Sequence, residues 1–200
     1  MSKKMLINAT LSGEERVAIV EDGLLTELDI EVAGSENTKG NIYKAEVVRV
    51  EQGLQAAFVN YGAQRHGFLQ IGDIHPDLWP KRNGNNSQRP PINEILRRGQ
   101  QIMVQVVKEE RGTKGAAVTT EISLAGRYMV LMANSRSRGI SRKIDKDSTR
   151  KKIKEALKEL DLPEEMGYII RTAAIDQSSE ELKRDFNYLF NIYKNIIYQA

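Results

Sequence analysis

Residues 101–130 read QIMVQVVKEERGTKGAAVTTEISLAGRYMV, and their reading decides the fold. Apolar and polar positions alternate over 102–108 and again over 116–122, which predicts two half-buried strands. Between them EERGTKG predicts a tight turn, because its two glycines allow the positive φ values such a hairpin needs. That turn carries Arg111 and Lys114 to an exposed tip. Such a tip is either a solvated polar turn or a hold for a phosphate backbone.

Working outward, residues 54–71 read LQAAFVNYGAQRHGFLQI, with Phe58, Tyr61 and Phe68 set among Arg65 and His66. The pattern suits strands over 54–59 and 66–71, turning near Tyr61 and Gly62. Phe58 and Phe68 then sit on neighbouring strands, where side chains share a face. On the outside these rings can stack on unpaired bases; on the inside they are core. Residues 41–50 (NIYKAEVVRV) supply a strand before this pair. Five short strands with a long insertion between the third and fourth describe a small barrel of the OB type.

The run NIYKAEVVRVEQGLQAAFVNYGAQRHGFL resembles the RNA-binding barrel of the bacterial ribonuclease E/G family. That barrel is an OB fold of the kind first named in a small-subunit ribosomal protein. The opening MLINAT, the hairpin KEERGTKGAAVTTEISLAG and the later IIRTA resemble the same family in the same order, so the likeness extends along all 200 residues. It implies an α+β, multi-part chain. Residues 1–37 would be partial ribonuclease-H-like strands, 38–121 the barrel, and 122–200 a small α/β region that senses an RNA 5′ end. Asn60 departs from the resemblance, standing where the family often has an acid.

Composition sets the outer bounds. Charged residues make up 28% and hydrophobic ones 40%, which fits a globular chain and argues against disorder. The absence of cysteine excludes disulfides, zinc–thiolate sites and thiol nucleophiles within these residues. No apolar run approaches membrane length, and residues 1–10 do not read as a signal peptide, so a cytoplasmic protein is expected. The net charge of +3 conceals an asymmetry: residues 1–37 carry a net −5, while 38–121 and 122–200 each carry +4. Residues 134–154 hold nine Lys or Arg against Asp145 and Asp147. Such a block is either a solvated linker and helix face or a surface for a polyanion.

The flanking regions read as follows. Residues 5–10, 16–21 and 24–32 predict a three-stranded meander, and 34–40 (GSENTKG) a linker. Residues 76–91 predict a loop anchored by Trp79, with 83–87 mobile. Beyond the barrel, strands are expected over 128–132 and 166–171, with a strand or irregular segment over 139–144. A helix capped by Ser148 is expected over 148–160. A long helix follows from Ser178 to about Ile197, burying Phe186, Leu189, Phe190, Tyr193 and Ile197.

One site reading concerns Arg171 and Thr172, which follow an apolar strand. A guanidinium fork beside a hydroxyl suits a terminal phosphate, and Arg171 suits an ion pair or helix end equally well. The resemblance assigns Arg171, Thr172, Gly126 and Val130 to a pocket for a 5′-monophosphate. It also assigns Phe58, Phe68 and Lys114 to RNA contact on the barrel, and the reading of the residues adds Arg111 and Tyr61 as RNA-binding candidates.

No catalytic residue is expected in this chain. The acidic neighbours Glu109-Glu110, Glu164-Glu165 and Glu180-Glu181 read as solvated, and His66 and His75 have no third ligand in view. The resemblance places Mg-dependent phosphodiester hydrolysis in a later domain of the whole endoribonuclease, with Zn in some members linking subunits. It implies single-stranded RNA as partner, 5′-monophosphorylated by preference, no cofactor on this chain, and a homo-oligomer at full length. An incomplete first meander favours continuation past Ala200. The alternatives are a stand-alone, non-catalytic OB-fold RNA-binding protein and a structural piece assembled through its last helix.

Overall fold

The structure, a computed structural model, describes residues 2–11, 13–32, 37–80, 89–133, 135–158, 160, 162–163 and 166–199. The expected mobile tract at 83–87, part of the linker at 34–36, and Glu164-Glu165 lie outside the described residues. The chain divides into two compact units, Met1–Thr38 and Lys39–Ala200.

In the first unit β1 (Lys3–Leu11), β2 (Glu14–Glu21) and β3 (Leu24–Val32) form an antiparallel sheet in that order. Asp22 and Gly23 take φ of 49° and 84°, the two positive values that a two-residue hairpin turn requires. Pairing sets Leu6 opposite Ala18 and Ala18 opposite Leu28, so these side chains share one face. Leu6, Leu25, Leu28 and Ile30 are all exposed.

The second unit begins with β4 (Ile42–Glu51), β5 (Ala56–Asn60) and β6 (Gly67–Gln70), then a one-turn helix α1 (Ile92–Ile95), β7 (Gln101–Lys108) and β8 (Ala117–Thr119). These strands close into a barrel in the order β4-β5-β6-β8-β7, the OB arrangement that the strand count predicted. Val47, Val59, Leu69, Val104, Val106 and Val118 fill its interior, and Ile92, Ile95 and Leu96 pack into the same core. Each such side chain contributes about 1.5–3 kcal/mol when fully buried. Trp79 packs against this core as expected. The last strand is shorter than the alternation suggests. Beyond Thr119 the backbone leaves the ladder, where the Thr119 hydroxyl and the Thr120 N–H both donate to the Asp73 carbonyl, each at 2.9 Å.

The remaining elements are β9 (Ser123–Ala125), β10 (Met129–Met132), β11 (Arg138–Ile140), α2 (Asp147–Lys158), β12 (Gly167–Ile170) and α3 (Ser179–Gln199). Their sheet runs β11-β12-β10-β9, with β11 and β12 parallel across the α2 connection and the other pairs antiparallel. Met129, Leu131 and Ile170 lie in one core with Ile153 and Leu157 of α2 and Leu182, Phe186 and Leu189 of α3. Ser178 caps α3, its hydroxyl accepting from the Glu181 N–H at 3.3 Å. Ile197, expected in the buried stripe, is 47% exposed, and Leu182, one turn from the start of α3, is buried instead. β9 was not expected as a strand.

Gln105 joins barrel and sheet. Its side chain is only 6% exposed, and its amide donates to the carbonyls of Gly40 and Ser123 at 2.9 and 2.8 Å. Its carbonyl accepts from the Ser123 N–H at 2.9 Å, which sets the direction in which β9 leaves the barrel.

Candidate nucleic-acid interface

On β5, Ala57 and Val59 point into the barrel with no exposure, so Phe58 between them points out. Leu69 does the same for Phe68 on β6. Register sets Arg49 opposite Phe58 and Phe58 opposite Phe68, a row across three strands. The two rings are tilted with centroids 5.6 Å apart, and the Arg49 guanidinium carbon lies 4.9 Å from the Phe58 centroid. Both rings are half-buried, leaving aromatic surface at the barrel wall. Arg49 escapes a reading of the sequence alone, because only the strand register reveals its neighbour.

The β7–β8 hairpin folds back against this row. Gly115 approaches the His66 backbone so closely that a side chain there would strike the His66 carbonyl, and the Arg65 guanidinium donates to the Gly112 carbonyl. An open cleft of about 480 Å³ results, lined by Arg49, Phe58, Gln64, Arg65, His66 and Thr113 among others. Lys114 and Arg111 are exposed at the tip and bridged through their backbones. The arrangement offers ring faces for bases with cations on both sides for phosphates.

Tyr61 does not belong to that surface. It is 7% exposed, stands edge-on to Tyr43 with centroids 5.2 Å apart, and lies against Gly67, where a Cβ would come 3.2 Å from its ring. Burial, with the Glu110 carboxylate close by, raises its pKa, so the hydroxyl stays protonated and donates to Glu110 at 3.3 Å. Tyr61, expected among the RNA-binding residues, is a core residue that ties the hairpin to the barrel.

A second constellation lies at the edge of the β9–β12 sheet. The Arg171 N–H continues the ladder by donating to the Tyr128 carbonyl at 2.8 Å, and its guanidinium donates to the Gly126 carbonyl at 2.5 Å. Thr172 follows at the start of a 3-10 turn, Thr172–Ala174, and both side chains are exposed. Val130 pairs with Ile169, two residues before Arg171, on the face opposite the fully buried Met129 and Leu131. Gly126 and Arg171 are therefore in direct contact, with Val130 on the adjoining open face beside Ile169, which is 40% exposed.

The basic block divides. Arg150 donates to the carbonyls of Ser141 and Ile144 at 3.2 and 2.9 Å, and Arg138 to that of Pro163 at 2.8 Å, so both serve the local fold. Lys151, Lys152 and Lys154 are exposed on α2. Among the described residues no group of three or more His, Cys, Asp or Glu could hold a metal ion. Among them also, no helix is long and apolar enough to cross a membrane.

Residues 36–121 match the family model described as "S1 RNA binding domain", and residues 123–200 match the one described as "Ribonuclease E/G family". The chain is 52% identical over 187 residues to Ribonuclease E of Escherichia coli (strain K12), covering 93% of this chain and 17% of that protein. It is 51% identical over 195 residues to Ribonuclease E of Haemophilus influenzae, covering 97% of this chain and 21% of that protein. It is 40% identical over 199 residues to Ribonuclease G of Salmonella typhimurium (strain SL1344), covering 98% and 40% respectively. The chain thus spans well under half the length of these relatives. With its barrel matched as an RNA-binding domain and ribonucleases E and G aligning along nearly all of it, the chain belongs to the ribonuclease E/G family.

Proposed function

We propose that this chain holds single-stranded RNA across the outer face of the barrel and receives a 5′-monophosphate at Arg171 and Thr172. It would act as the RNA-holding part of a single-strand-specific endoribonuclease in RNA processing and decay. The observation that carries the reading is the row of Arg49, Phe58 and Phe68 beside an open, cation-lined cleft. Bases stack on the two rings, each worth about 1–3 kcal/mol, while Lys114 and Arg111 meet the backbone phosphates. At the sheet edge, Arg171 commits one guanidinium donor to Gly126 and keeps others for a phosphate, with the Thr172 hydroxyl beside them.

Bond cleavage, Mg dependence, assembly into oligomers and a cytoplasmic location belong to this proposal for a protein of the relatives' length. The described residues do not fit a metal site, and no cleavage step is assigned to them. Residues 1–37 serve as ribonuclease-H-like strands in the same reading, 38–121 as the RNA barrel and 122–200 as the sensor region.

Fluorescence anisotropy with a short 5′-hydroxyl RNA, single-stranded or in duplex, tests the barrel. Wild type should prefer the single strand and lose affinity with salt, and Phe58→Ala should bind it more weakly at unchanged melting temperature. Unchanged affinity in both Phe58→Ala and Phe68→Ala would overturn the reading.

A further inference from the structure

The turn between β9 and β10 is held from outside its own hairpin. The Asp185 carboxylate, projecting from α3, accepts from three successive backbone N–H groups: Arg127 at 3.0 Å, Tyr128 at 2.8 Å and Met129 at 3.0 Å. Consecutive N–H groups converging in this way form an anion site, and here the protein supplies the anion itself. The same carboxylate stands against Gly126. A Cβ at that position would lie 2.6 and 2.7 Å from its two oxygens and 2.9 Å from its carboxyl carbon. Those oxygens cannot easily give way, since all three hydrogen bonds hold them. The Gly126 carbonyl, one residue from the clamped segment, accepts from the Arg171 guanidinium. A continuous path of contacts therefore runs from α3 through Asp185 and the 126–129 turn to Arg171.

We infer that Asp185 is a positioning residue for the phosphate pocket: by filling the N–H nest of the 126–129 turn, it fixes the carbonyl that aims Arg171. The inference rests on the proposed 5′-phosphate reading. Occupation of the nest also keeps the incoming phosphate off the turn and leaves the guanidinium and the Thr172 hydroxyl as its ligands. Glycine at 126 follows from this packing, because the space of its missing side chain holds the carboxylate. Asp185 would touch no RNA, so its effect is confined to discrimination between 5′ ends.

The test is a double-mutant cycle on the whole chain, read by anisotropy with 5′-monophosphate and 5′-hydroxyl forms of one single-stranded RNA. If wild type prefers the monophosphate by roughly tenfold, about 1.4 kcal/mol, Asp185→Ala should lower that ratio at least threefold and leave hydroxyl-RNA affinity unchanged. Gly126→Ala should lower it similarly, by pushing the carboxylate out of the nest. Adding Gly126→Ala to Asp185→Ala should change nothing further, since the atoms that the new methyl would strike are gone. A merely structural role would lower the melting temperature and leave the ratio intact, and that result, or additive losses in the double variant, overturns the inference. Should Asp185→Ala fail to fold, Gly126→Ala and Asp185→Asn carry the same prediction. A ratio of one in wild type removes the phosphate reading itself. A ratio lost in Arg171→Ala but kept in both Asp185→Ala and Gly126→Ala removes only the role of Asp185.

Discussion

The barrel wall and the sheet edge are both exposed and cationic, yet they are built from different material. On the barrel, strand pairing aims Phe58 and Phe68, each flanked by buried neighbours on its own strand, and sets Arg49 beside them, where it also pairs with Glu51 at 2.8 Å. At the sheet edge, backbone groups do the aiming, and the Gly126 carbonyl orients Arg171. A wall of rings can bind any stretch of unpaired bases, whereas one guanidinium held by one carbonyl suits a single terminal group. The difference teaches that polymer affinity and end discrimination should fail separately.

The largest effect should come from the joint between the two regions. Gln105→Leu removes a buried amide and strips its hydrogen bonds from the carbonyls of Gly40 and Ser123 and from the Ser123 N–H. It should cost about 2–4 kcal/mol of stability, seen as a lower midpoint in urea. The monophosphate-to-hydroxyl ratio should survive in the folded fraction. Phe68→Ala comes next, with RNA affinity falling by about 1–3 kcal/mol equally for both 5′ ends. A fall confined to one end would break the comparison. Lys114→Ala should act more gently, making the slope of log affinity against log salt shallower by about 0.7.

The smallest effect concerns Asp73, next to the barrel closure. Burial raises its carboxyl pKa, and nearby Lys108 only partly opposes this. Between the unfolded and the raised value the native state holds the extra proton, so this residue's contribution to stability declines as pH rises through that window. The melting-temperature gain of Asp73→Asn over wild type should therefore be greater at pH 7 than at pH 4. A gain that shrinks over the same interval would contradict the burial account.

The barrel was legible because its strands alternate, and alternation is what a half-buried strand must show. Phe58 and Phe68 could be paired from sequence, but their facing could not, since burial of Ala57, Val59 and Leu69 decides it. Tyr61 misled for the opposite reason. A tyrosine before a glycine reads as a turn residue, yet Tyr43 and Gly67 close over its ring. β9 is three residues long, too short for any periodicity to register. Nothing in the local sequence sets Asp185 apart from the other charges of its helix. Its partners lie 56 to 58 residues away in the chain, and only the packing of α3 on the sheet brings them together.

The separation of the two sites is tested most directly by measuring monophosphate and hydroxyl RNA affinities for wild type, Phe58→Ala, Arg171→Ala and the double variant. The account predicts that Phe58→Ala weakens both RNAs alike and keeps the ratio between them. It predicts that Arg171→Ala abolishes the ratio, keeps hydroxyl-RNA affinity, and adds to Phe58→Ala without coupling. A ratio that survives Arg171→Ala, or that disappears with Phe58→Ala, would contradict it.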